Sequence, residues 1–117
     1  VIDDSTAIRK AIRRILESMN YDVIEAEDGA MALEAVGANA TLDAILCDID
    51  MPVMDGLTFL ERLRARGGVV PPPIIMCTTH TAFEKIQAAL TLGASEYIMK
   101  PFDAEIFGSK LEACGVR

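Results

Sequence analysis

The sequence predicts an α/β fold in which a five-stranded parallel sheet is covered by helices on both faces. Two observations carry that expectation. Short apolar runs recur at Val1-Ile2, Val23-Ile24, Ala44-Ile45-Leu46-Cys47, Ile74-Ile75-Met76-Cys77 and Tyr97-Ile98-Met99, and runs of this length bounded by polar residues read as buried strands. The segments between them carry helical spacing, and parallel neighbours need a crossover that is usually a helix.

Taken in order, the first run is followed by Ile8, Ile12, Ile15, Leu16 and Met19, an apolar stripe along one side of a helix. Ser5 is placed to cap it, and Arg9, Lys10, Arg13 and Arg14 read as a solvated basic face. After the second run, Ala32, Leu33 and Val36 repeat the helical pattern. Leu57, Leu60 and Leu63 do so after the third, Phe83, Ile86 and Leu90 after the fourth, and Phe107, Leu111 and Cys114 after the fifth. The stretch Gly67-Gly68-Val69-Val70-Pro71-Pro72-Pro73 sits between a helix and the next strand and reads as a stiffened loop rather than a linker.

The 117 residues suit one domain, 1–117, and Val1 in place of Met implies a trimmed N-terminus. With 51% apolar and 25% charged residues, the chain can bury a core. A net charge of −7 disfavours direct nucleic-acid binding and favours holding cations. Cys47, Cys77 and Cys114 show no metal-site spacing and no disulfide framework, which fits a reduced, cytoplasmic setting. No apolar run approaches the roughly 20 residues needed to cross a bilayer, so no membrane role is expected.

In an open parallel sheet, ligands bind at the carboxyl ends of the strands. Here those ends carry Asp3 and Asp4, Asp48, Thr78 and Lys100. One acidic residue after a strand is often only a cap or a turn former. Three carboxylates converging on one crevice repel one another, and a hard divalent cation with oxygen ligands relieves that repulsion. Mg²⁺ is the leading candidate, since it shares its shell with water and phosphate oxygens. A carboxylate can also accept a phosphoryl group as an acyl phosphate, a transfer that needs positioning and charge neutralisation more than proton chemistry. Asp48, after a central apolar strand, is the best acceptor, with Lys100 supplying a point charge and Thr78 a hydroxyl.

The pair Asp3-Asp4, the stretch Cys47-Asp48-Ile49-Asp50-Met51-Pro52-Val53-Met54-Asp55-Gly56, Thr78, and Tyr97-Ile98-Met99-Lys100-Pro101-Phe102 together resemble the receiver domain of two-component response regulators. Thirty residues separate Asp48 from Thr78 and fifty-two separate it from Lys100, which suits the compact, CheY-like chemotaxis type. The resemblance spans essentially the whole chain. It implies a flavodoxin-like, doubly wound (βα)5 fold with strand order 2-1-3-4-5.

It further implies that Asp48 is phosphorylated by a histidine kinase or histidine phosphotransfer protein. Mg²⁺ would be held by Asp3 or Asp4, by Asp48 and by the backbone carbonyl of Asp50, while Thr78 and Lys100 contact the phosphoryl group. Lys100-Pro101 becomes the candidate cis peptide bond. Movement of Thr78 would draw the aromatic Tyr97 inward and remodel the output surface, which would dock a partner such as a flagellar motor switch component. Such a domain catalyses only its own phosphorylation and dephosphorylation. Nothing resembling an output domain follows the last helix, so a stand-alone regulator is expected.

Several residues carry blander alternatives. Tyr97 alone would pass for an amphipathic strand residue, and His80 for an exposed loop histidine. Within the resemblance, Asp50 and His80 would flank the route of the hydrolytic water. Thr79 departs from the small residue usual after the active-site Thr and could narrow access to Asp48. The basic helix face lies where receivers dock their phosphodonor. Cys47 and Cys77 read as core packing. The rival from another class is a haloacid-dehalogenase-type phosphohydrolase, suggested by Asp48-Ile49-Asp50. That family places its nucleophile strand first, and this chain has too few residues for a substrate cap. A receiver-shaped module that is never phosphorylated is the third reading.

Overall fold

The computed structural model describes residues 1–38, 42–49, 51–66, 72–78, 83–99 and 103–116. The chain forms helices α1 (Thr6–Ser18) and α2 (Gly29–Ala38), strand β1 (Ile45–Cys47), helix α3 (Gly56–Ala65) and strand β2 (Ile74–Thr78). Helix α4 (Phe83–Thr91), strand β3 (Glu96–Met99) and helix α5 (Ala104–Ala113) complete it. All five expected helices are present.

The sheet is parallel, with β2 between β1 and β3. Two further extended segments join through single bridges, Ile2 beside Cys47 and Ala26 beside Ile2. Numbered along the chain, the five segments therefore lie in the order 2-1-3-4-5, as expected. The first two are shorter in pairing than the apolar runs suggested. The second pairs at Ala26 rather than through Val23-Ile24, with Ala26 N–H donating to the Val1 carbonyl (2.9 Å) and Asp3 N–H to the Ala26 carbonyl (3.1 Å). This is the sheet edge, where one side of the segment meets water, and Ile24 is exposed.

Strand periodicity sorts the core into two layers. Ile45, Cys47, Ile74 and Met76 face one side and pack with Ala32, Phe59, Leu60, Leu63 and Ala89 of α2, α3 and α4. Leu46, Ile75, Cys77 and Ile98 face the other side, against Ile12 and Leu16 of α1 and Phe107 and Leu111 of α5. Alternation along each strand with helices on both faces is the physical content of a doubly wound sheet. Cys47 and Cys77 fall on opposite faces, so they serve as core packing. Burial pushes the Cys47 thiol well above its ordinary range, consistent with an inert side chain.

Two helices sit at a phase that the stripes did not anticipate. Among the described side chains of α4 the buried one is Ala89, and Leu90 is left exposed. On α3, Phe59 is fully buried beside Leu60 and Leu63, while Leu57 is only partly covered. Among the described residues, no helix is long and apolar enough to cross a membrane.

Candidate functional site

The carboxyl ends of the central segments bring Asp3, Asp4 and Asp48 together, with carboxylate oxygens that all lie within 4.8 Å of one another. Asp3 and Asp48 are buried, whereas Asp4 is exposed. The bridge at Ile2 explains the convergence. Ile2 N–H donates to the Leu46 carbonyl (2.7 Å) and Asp48 N–H to the Ile2 carbonyl (2.9 Å), so the two acidic termini end in register.

Local hydrogen bonds orient each carboxylate. Ser5 N–H donates to Asp3 Oδ1 (2.9 Å), closing an Asx turn, and Ser5 Oγ accepts from Ile8 N–H as the expected cap of α1. Ile49 N–H donates to Asp48 Oδ1 (2.8 Å). The loop after Asp48 is anchored by Gly56 N–H on the Ile49 carbonyl (2.8 Å) and by Gly29 N–H on the Met54 carbonyl (3.1 Å). Met54 N–H donates to the Pro52 carbonyl (2.7 Å) around Val53, whose φ is +66°, the geometry of a strained γ-turn.

Thr78, fully buried, ends β2 and pairs with Met99 at the end of β3. Tyr97 on β3 is half-buried, with Lys110 Nζ 5.4 Å from the centre of its ring. Lys110 also pairs with Glu96 (3.2 Å). Asp50, Thr79, His80, Lys100 and Pro101 lie outside the described residues, as does most of the Gly67–Pro73 loop.

The donor set fits a hard divalent ion. Three carboxylate oxygens of one sign in a partly buried crevice are the ligand type that Mg²⁺ prefers, and an exposed Asp4 leaves room for its waters. Residues 1–112 match the family model of the response regulator receiver domain. The chain belongs to that family.

As a receiver domain it is a phosphorylation-controlled switch of two-component signalling rather than an enzyme that turns over a metabolite, and the phosphohydrolase alternative falls away. The receiver is 39% identical to the chemotaxis protein CheY1 of Helicobacter pylori over 113 residues, 96% of this chain and 91% of that one. It is 35% identical to a CheY homologue of Campylobacter jejuni, covering 96% of this chain and 87% of the relative. Among solved structures, Vibrio cholerae CheY4 superposes with a TM-score of 0.87 at 35% identity, covering 95% of this chain and 92% of that one. The CheX–CheY–BeF3–Mg²⁺ complex of Borrelia burgdorferi gives 0.90 at 26% identity, covering 99% and 87%.

The basic face of α1 departs from expectation. Arg9 is buried, and Arg9 Nε donates to Glu25 Oε1 (2.9 Å). Lys10 Nζ (2.8 Å) and Arg13 Nη1 both donate to Glu25 Oε2. Lys10 above all, then Arg13 and Arg9, hold the Glu25 carboxyl at about 2 against the opposing effect of burial. Lys10 and Arg14 are exposed, as the stripe implied, although the Lys10 ammonium is held by Glu25. The spacing did contain a signal for Arg9, which stands three residues before Ile12 and seven before Leu16 and so shares their buried face.

Proposed function

We propose that Asp48 is the phosphoryl acceptor of this receiver, charged from the phosphohistidine of a histidine kinase or histidine phosphotransfer protein. The convergence of the Asp3, Asp4 and Asp48 carboxylates at the sheet's carboxyl edge carries the reading. An Asp48 carboxylate oxygen attacks phosphorus, the P–N bond breaks, and the imidazole nitrogen leaves with the bonding electron pair. The product is an acyl phosphate on Asp48. Attack of water on that phosphorus later returns the carboxylate and releases inorganic phosphate.

Asp48 is suited to this by restraint. The Ile49 N–H bond fixes its orientation, and its burial limits the rotamers open to it. Asp3, Asp4 and Asp48 would hold Mg²⁺, which supplies charge neutralisation between the carboxylates and the incoming phosphoryl oxygens. The Asp50 carbonyl completes the proposed ligand set, and Thr78 and Lys100 contact the transferred group. Asp50, Thr79 and His80 tune the lifetime of the phosphate.

Output would follow from Tyr97. Its ring, half-buried here, would turn inward on phosphorylation and the surface formed by α4, β3 and α5 would change with it. The chemotaxis proteins among its relatives favour a partner of the flagellar motor switch kind.

The test is the intact mass of wild type and Asp48→Asn after incubation with acetyl phosphate, with and without Mg²⁺. A single Mg²⁺-dependent phosphoryl adduct on wild type alone is expected. An equal adduct on Asp48→Asn would move the acceptor elsewhere.

A further inference from the structure

We propose that Arg9 is a positioning residue that sets the affinity of the acidic crevice for its divalent cation by gripping the peptide between Asp3 and Asp4. The inference rests on the reading of that crevice as a Mg²⁺ site. Arg9 Nη1 donates to the carbonyl oxygen of Asp3 (2.7 Å), and this bond is buried. Asp3 and Asp4 hang from the two ends of that one peptide unit, so its plane sets the direction in which both side chains leave the backbone. Arg9 Nη2 also reaches Thr6 Oγ1 (3.5 Å) in the first turn of α1, and Nε is held by Glu25. The guanidinium is thus fixed from three sides while it fixes the acidic turn. Its planar fork can hold three differently directed acceptors at once, which a lysine ammonium on a flexible stem cannot do with the same rigidity.

The arrangement makes sense against its electrostatic cost. A buried cation close to a cation site repels the ligand that the site must bind, so charge alone argues against an arginine there. Glu25 offsets that positive charge through its own pair with Arg9, and it also pairs with Lys10 and Arg13. What remains of Arg9 at the site is its geometry. Residues that orient the ligands of a metal commonly change its affinity roughly 10- to 100-fold when removed.

Charge and geometry predict opposite signs, and this separates them. Mg²⁺ is titrated into wild type, Arg9→Met and Arg9→Lys, following the backbone amide resonances of Asp4 and Asp48 in ¹H–¹⁵N spectra of protein confirmed as folded by the dispersion of the remaining peaks. Removing a positive charge by Arg9→Met would tighten Mg²⁺ binding if only Coulomb energy mattered, and Arg9→Lys would leave it unchanged. The positioning role instead predicts a Kd raised about 10-fold in both variants, with the Asp4 amide displaced before any metal is added. If Arg9→Met does not fold, Arg9→Lys decides by the same criterion. Wild-type or tighter affinity in a folded variant overturns the inference and leaves the Mg²⁺ site standing. Absence of any Mg²⁺ response in wild type overturns both.

Discussion

The backbone at the start of α3 presses so closely on the end of the segment after β1 that a Cβ on Gly56 would stand 2.2 Å from the carbonyl oxygen of Asp48. Two more atoms stand at 3.0 Å, Ile49 Cα and Met76 Cε; the Met76 side chain can move aside, but Ile49 Cα is backbone like the Asp48 oxygen, so turning a side chain does not relieve the contact. Gly56 therefore destabilises the protein when changed to Ala, by about 1–3 kcal/mol, even though Ala is the better helix former. Urea unfolding measures the loss. The internal control is Gly108→Ala in α5, where the new methyl would meet only Met19 Cε at 3.6 Å, an ordinary contact. That change should stabilise by roughly 0.5–1 kcal/mol, so the same substitution gives opposite signs at two helical glycines. A loss of stability in both would show that the close approach at Asp48 is not what distinguishes them.

Val53 offers a second, independent test of the loop beside Asp48. A β-branched residue at φ +66° is rare, since its Cβ crowds the following carbonyl, at a cost of roughly 1–2 kcal/mol. The side chain recovers little by burial, being 84% exposed. Val53→Asn, whose short polar side chain tolerates this conformation, is expected to raise stability by about 0.5–1 kcal/mol. The shift in the thermal midpoint reads it directly, and a lowered midpoint would mean that Val53 makes an interaction worth more than its strain.

The helices were legible because each displays an apolar stripe, and the acidic residues because the strand order brings the carboxyl ends that carry Asp3, Asp4 and Asp48 to one crevice. What was less legible follows from physical causes. The edge segment pairs at Ala26 because an edge strand has one wet side, so the apolar run Val23-Ile24 marks its neighbourhood but not its paired residue. The buried Ala89 of α4 is too small to stand out in a hydrophobic pattern. The charge of Arg9 points to the solvated face, whereas its spacing from Ile12 and Leu16 places it inside. The partner that makes its burial tolerable, Glu25, stands sixteen residues away on the second segment, and no local pattern links them. Gly56 ends the Cys47–Gly56 stretch that carries the resemblance, but the reason for a glycine there lies in the contact between Asp48 and the start of α3, which no local pattern displays.

Glu25 also predicts how stability depends on acid. Its carboxyl is held at about 2, from an ordinary value of 4.5, chiefly by the Lys10 ammonium and then by Arg13. Because the folded protein holds this group's proton more weakly than the unfolded chain does, the stabilisation is complete above about pH 4.5. As pH falls from there, the unfolded chain takes up the proton first and the stabilisation drains away, reaching its end as the folded group itself titrates near 2. Lys10 is half exposed, so solvent screens much of the attraction, and the acid-sensitive part is about 1 kcal/mol rather than the several that the shift alone would imply. Glu25→Gln removes it. Urea unfolding at pH 7 and pH 3 should show wild type losing more than Glu25→Gln between the two by about 0.6 kcal/mol, the share of that 1 kcal/mol already drained by pH 3, a difference that narrows in 1 M salt as the surface charges are screened. Equal losses in the two proteins would mean that the three cations gain nothing from Glu25 in the folded state beyond what water and salt already give them in the unfolded one.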